Sequence, residues 1–190
     1  MKNTLFAIAL ATASLATLPA VTHAADGAGG AFVNGNIGRS TLDKGLYDDN
    51  DTGYGVNAGY RWALSPNVAL GVEGGYTKLG DFNAKGVNGG LGSASVKGWT
   101  AGVNGHFNVT PQWYVSGRAG LFRADTKGWT NQAVPSYVDD SSTKWYAGAG
   151  FGYDFSNNLS LGLNYDYYKT ETKGLNLDPS LLSVSAEYRF

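Results

Sequence analysis

Read with a period of two, the chain separates into stretches whose apolar side chains fill one row and whose small or polar side chains fill the other. In 54–62 the apolar row is Tyr54, Val56, Ala58, Tyr60 and Trp62, with Gly55, Asn57, Gly59 and Arg61 between them. The same alternation recurs over 68–76, 99–107, 113–121, 145–155, 159–167 and 182–190. A less regular stretch, 31–39, sets Ala31, Val33, Gly35 and Ile37 against Phe32, Asn34 and Asn36. Side chains of a β-strand point alternately to its two faces, so each stretch predicts a strand with one apolar face. Each predicted strand has about the 9–11 residues that a tilted strand needs to cross a bilayer.

The connections alternate too. Short, turn-forming segments at Ser65-Pro66-Asn67, 108–112 and Ser156-Asn157-Asn158 join three strand pairs. The other four connections, 41–52, 79–95, 125–143 and 170–180, read as long polar loops. Short turns at one end and long loops at the other are the pattern of an eight-stranded antiparallel transmembrane β-barrel, an all-β fold with its short side periplasmic. A soluble lipocalin-like barrel has the same period, with its apolar face turned inward around a ligand. The aromatics decide between them. Tyr60, Trp62, Phe107, Trp113, Tyr153, Phe155, Tyr188 and Phe190 lie at the short-turn end of the apolar row, and Tyr54, Tyr76, Trp99, Trp145, Tyr165 and Tyr167 at the long-loop end. Two aromatic girdles around an aliphatic band fit a bilayer with two interfaces.

Composition adds location. Lys2, the apolar stretch from Leu5 to Leu18 and Thr22-His23-Ala24 form a secretory signal, so residues 1–24 are expected to be removed and 25–190 to form the barrel domain in the outer membrane. The chain of 190 residues has a net charge of −1, which gives no basic excess for nucleic acid. It contains no cysteine, which excludes disulfides, thiol nucleophiles and lipid attachment at a Cys.

Two sets of charges stand out. Carried one step above the upper girdle, the outward parity reaches Arg39, Lys78, Lys97, Arg123 and Lys169, where cations meet lipopolysaccharide phosphates at the outer leaflet. The inward parity carries Arg61, Glu73, Arg118, Asp166, Glu187 and Arg189, which are expected to pair across the lumen because buried charges must be compensated. Glu73 and Arg118, both near mid-strand, are candidates to meet. No catalytic or metal site and no cofactor is expected. His106 has no evident Ser/Asp partner at a productive spacing, with inward Ser116 the nearest candidate. Asp48-Asp49-Asn50-Asp51-Thr52-Gly53 opens like a calcium loop, but its twelfth position is Gly59 where a bidentate Glu is required. The glycine run 86–92 has no helix behind it to cradle a phosphate.

The eight alternating strands, the segments Asn57-Ala58-Gly59-Tyr60-Arg61 and Gly148-Ala149-Gly150-Phe151-Gly152-Tyr153-Asp154, and the ending Tyr188-Arg189-Phe190 resemble the small outer-membrane barrel family that includes the OmpA transmembrane domain and the OmpX/Ail-type adhesins. The resemblance implies that Tyr188 and Phe190 are read by the barrel-assembly machinery. It also implies a non-enzymatic role in envelope integrity and surface interaction, without the cell-wall tether of longer members. Tyr47, Phe82, Trp129 and Tyr137 are expected as loop aromatics available to a host or surface partner. A narrow porin is the alternative function, and a lipid-modifying enzyme built on His106 a more distant one.

Overall fold

The computed structural model describes residues 29–44, 47–83, 93–129, 137–155, 158–172 and 175–190; the expected signal segment 1–24 and the glycine run 86–92 lie outside them. The strands are β1 (Gly30–Lys44), β2 (Tyr47–Ser65), β3 (Val68–Asn83), β4 (Ser93–Asn108), β5 (Trp113–Trp129), β6 (Tyr137–Asp154), β7 (Leu159–Tyr168), β8 (Thr170–Thr172), β9 (Leu175–Leu177) and β10 (Ser180–Arg189). Eight of them close an antiparallel barrel in the order β1-β10-β7-β6-β5-β4-β3-β2, and β8 and β9 form a separate hairpin. The barrel strands contain the eight predicted stretches. Closure pairs the first strand with the last, from Phe32 opposite Arg189 to Thr41 opposite Ser180.

The strands are longer than the alternation predicts: β1 has 15 residues and β2 has 19. The ladder therefore continues well past the ~25 Å apolar band of such barrels. Two of the four long connections, 41–52 and 125–143, are mostly barrel strand as a result, and 170–180 holds the separate β8–β9 hairpin. The β1–β2 ladder runs on to Lys44 opposite Tyr47, and the β5–β6 ladder to Trp129 opposite Tyr137. Tyr47, Phe82, Trp129 and Tyr137 thus fall at strand ends rather than on loops, and their side chains lie outside what the structure describes. Beyond the girdle the hydropathy stops alternating while backbone pairing goes on. A β-bulge at Lys78/Gly80 bends β3 there, with Gly80 at φ 130°, and Asp51 accepts the Asp81 N–H at 2.6 Å. The would-be calcium loop is therefore part of the β2 ladder, and its Asp51 is spent on that bulge.

Exposure fixes which face is outside. Val72 is 48% exposed and Leu163 53%, whereas Asn57 is 2% and Asp166 0%. The apolar row points out and the polar row in.

The inward glycines have a packing role. A Cβ at Gly59 would strike the Phe32 ring, and one at Gly148 would strike the Asp166 carboxylate. Large side chains thus lie across the lumen over glycines of nearby strands. Gly35, facing lipid, has no atom within 4 Å of its would-be Cβ. Gly148→Ala should cost roughly 1–3 kcal/mol in urea unfolding from lipid vesicles, since overpacking must push Asp166 aside. Gly35→Ala should stay within about 0.5 kcal/mol of wild type.

A filled lumen and a cationic rim

The lumen is filled in three tiers. At the long-loop end Leu42, Leu79, Val96, Phe122, Ala124, Tyr146, Tyr168 and Leu181 form a cluster with at most 1% exposure. Tyr168 packs against the Phe122 ring at 5.0 Å and the Tyr146 ring at 5.8 Å between centroids. Sequence analysis missed this apolar cap. Its residues carry the inward parity, but a rule that lumens are polar leaves them unassigned.

Below the cap lies a continuous polar network. Arg61 donates through Nη2 to Glu187 Oε2 at 2.9 Å, through Nη1 to Glu187 Oε1, and through Nε to Asn104 Oδ1 at 2.6 Å. Asn104 passes a hydrogen bond to Glu73 Oε2 at 3.1 Å, and the Tyr146 hydroxyl donates to Glu73 Oε1 at 2.9 Å. Arg118 grips Asp166 with Nε at 2.6 Å and also with Nη2, and its Nη1 lies 3.9 Å from Glu73. Glu73 and Arg118 do meet across the lumen, but the main partner of Arg118 is Asp166.

The lowest tier centres on Asp154, which was not among the predicted interior charges. It accepts from Asn108 Nδ2 at 2.7 Å, from Arg189 Nη2 at 3.2 Å and from the Ser160 hydroxyl, and it lies 3.2 Å from His106 Nε2. His106 stacks on Tyr114 with ring centroids 4.1 Å apart. Ser160 and His106 both bond the carboxylate, so the imidazole does not sit between hydroxyl and acid as a nucleophile relay requires. All six predicted interior charges point inward, and the salt bridges mostly skip a strand. Arg61–Glu187 spans β1, Arg118–Asp166 spans β6, and His106–Asp154 spans β5. A narrow tilted barrel brings alternate strands into one layer. The polar tiers enclose a cavity of about 40 Å³ lined by Asn57, Glu73, Asn104, Arg118, Asn164 and Ser185. That volume suits a few waters and no solute stream.

Outside, the predicted cations divide. Lys78 and Lys97 are cross-strand neighbours, and Arg123 stands on β5 opposite Trp99, so β3 to β5 carry a cluster over the edge-to-face Tyr76–Trp99 pair. Arg39 stands apart on β1, between Thr52 and Leu182. Lys169 follows β7 and donates to Asp178 at 3.1 Å, while Lys78 donates to Asp81 at 2.8 Å. The Lys78 hydrogen bond, helped by one from Ser95, holds the Asp81 carboxyl below its ordinary value. The rim is thus a β3–β5 cluster with acids interleaved, plus two separate cations, rather than an even ring.

A closed antiparallel barrel with an apolar belt outside and a charge-braced, capped interior defines an integral membrane β-barrel. The family model "Outer membrane protein beta-barrel domain" matches residues 8–190, and the chain belongs to that family. It is an outer-membrane protein. The 31 kDa outer-membrane immunogenic protein of Brucella melitensis is 30% identical over 151 residues, which is 70% of this chain and 60% of that protein. The chain therefore spans about 60% of the length of this relative. Among solved structures, the attachment invasion locus protein Ail of Yersinia pestis aligns with TM-score 0.60 at 18% identity, covering 85% of this chain and 99% of Ail. Neisserial surface protein A gives TM-score 0.56 at 17% identity, covering 84% and 97%. Both share the fold.

Arg118→Met should destabilise the barrel by about 3–5 kcal/mol in vesicle unfolding, because it strands Asp166 and weakens the hold on Glu73. Asp81→Asn should cost at most ~1 kcal/mol, since its ion pair is solvated. Because Asp81 is depressed on folding, its contribution should be present above its ordinary value of 3.8 and vanish as pH falls through the lower folded value. A pH titration of the wild type against Asp81→Asn checks that sign.

Proposed function

We propose that this barrel acts at its outer surface and not through its lumen, contributing to envelope integrity and binding a surface partner with its extracellular hairpins. The observation that carries this reading is the filled lumen: an apolar cap lies over a charge network whose cavity has only about 40 Å³. That filling weighs against the narrow-porin alternative, and Ser160 and His106 both bonding Asp154 weighs against the lipid-modifying one. The immunogenic character printed in the name of the Brucella relative accords with a surface-displayed role.

Two interfaces accompany this function. Lys78, Lys97 and Arg123, with Arg39 and Lys169, contact lipopolysaccharide phosphates, the aromatics below them marking the interface level. At the other rim Tyr188 and Phe190 pair at 5.0 Å, and the Phe190 N–H donates to Ala31 O at 2.9 Å. That aromatic end is the segment for the barrel-assembly machinery to read, after removal of residues 1–24 as the export signal.

In planar bilayers the wild type should be silent, and Phe122→Ala/Tyr168→Ala/Leu181→Ala should raise conductance. Steady wild-type channels would return the assignment to a porin. In nanodiscs the protein should bind immobilised extracellular-matrix proteins, and shortening the β5–β6 or β7–β10 hairpin should abolish binding. Matrix binding that survives loss of every extracellular hairpin would defeat the surface reading. Replacing all five rim cations by Gln should deplete co-purified lipopolysaccharide; unchanged co-purification would remove the phosphate contact.

A further inference from the structure

Most neighbouring strands in the barrel are also neighbours in sequence and are held by their connection. The pair β1–β10 is not: its strands are the first and last of the barrel in sequence and meet only when it closes. This seam is poorly marked by side chains. Its ladder includes Gly35 opposite Ala186, Asn36 opposite Ser185 and Gly38 opposite Ser183. Strands rich in glycine and small residues specify register weakly, and a slip of two residues keeps every side chain on its proper face. The hydropathy pattern that orients the strands therefore cannot prevent such a slip here.

One interaction crosses the seam and is sensitive to it. Arg61 on β2 and Glu187 on β10 join over the intervening β1 in a two-point grip, with side chains 6% and 8% exposed. Beneath them lies Phe32 of β1, its ring centroid 4.0 Å from the Arg61 guanidinium carbon. The Phe32 ring in turn lies over Gly59, where a Cβ would strike it. The seam strand is thus held between a glycine floor and an ion-pair bar. The pairs Arg118–Asp166, His106–Asp154 and Arg189–Asp154 join strands without crossing the seam.

We propose that the Arg61–Glu187 clasp over Phe32 is the register lock of the barrel seam. A two-residue slip of β10 along β1 carries Glu187 about 7 Å from its place, beyond the reach of a two-point grip. Arg61 and Glu187 would then both be buried without each other, which is the costly way to break an ion pair. Only the native register satisfies both charges, so the clasp supplies the discrimination that the small-residue ladder lacks.

The chain has no cysteine, so paired cysteines can report register directly. Ile37→Cys with Val184→Cys reads the native register, since these residues are opposite one another on the outer face. Ile37→Cys with Leu182→Cys and Ile37→Cys with Ala186→Cys read slips of two residues in either direction. After refolding into vesicles and mild oxidation, the slipped disulfides should rise more than tenfold in Glu187→Gln, as loss of a buried ionic partner predicts. The exchange Arg61→Glu/Glu187→Arg should bring them back towards wild type. Arg118→Gln should lower stability without raising them, which separates register locking from general support. Should Glu187→Gln not fold, Arg61→Gln/Glu187→Gln, which leaves no lone charge, is read with the same cysteine pairs. Slipped disulfides at wild-type level in the folded clasp variant, or an equal rise in Arg118→Gln, would overturn the proposal.

Discussion

The membrane-spanning strands of this protein face hydrocarbon, where a free peptide group finds no water. An unsatisfied N–H or C=O in hydrocarbon costs several kcal/mol, and a sheet edge exposes a row of them. Closure of β1 on β10 removes the edges and makes the remaining choices local ones. Once the sheet is closed, one face must tolerate acyl chains and the other must fill a tube only eight strands around. The first demand is met by valine, leucine and alanine between aromatic girdles. The second is met by setting large inward side chains over glycines on neighbouring strands.

Filling the tube with charges creates an obligation that the network discharges. Buried Arg and carboxylate groups are tolerable only when paired and hydrogen-bonded on most of their polar atoms. Arg61, Asn104, Glu73, Arg118 and Asp166 meet it by sharing partners, so most members hold more than one neighbour. Pairing across alternate strands ties together strands that share no ladder. The network therefore braces the cross-section as well as neutralising it. The apolar cap closes the extracellular end without any charge, and Tyr146 belongs to both tiers: its ring packs in the cap and its hydroxyl bonds Glu73.

A lumen occupied by its own side chains leaves a cavity of only about 40 Å³ between the polar tiers. The ladders that rise beyond the lipid interface still feed the core, since Leu42 and Leu79 belong to the apolar cap. The cations stand where lipid ends and these ladders begin. Two of them, Lys78 and Lys169, are paired with Asp81 and Asp178.

The residues alone determine the number of barrel strands, the facing of each, the two girdles and the inward direction of Arg61, Glu73, Arg118, Asp166, Glu187 and Arg189, because period-two alternation is a local consequence of the pleat. They determine the membrane reading as well, since lipid tolerates no charge on the outward row. They do not determine where strands end above the membrane. There hydropathy ceases to alternate, and only backbone pairing, invisible in side-chain identity, continues. Nor do they determine which inward charges meet. That depends on strand tilt and register, which place Asp166 rather than Glu73 against Arg118 and bring His106 to Asp154 across an intervening strand. The apolar cap was present in the parity of Phe122, Tyr146 and Tyr168. Its meaning came only with closure, when rows from separate strands converged on one axis.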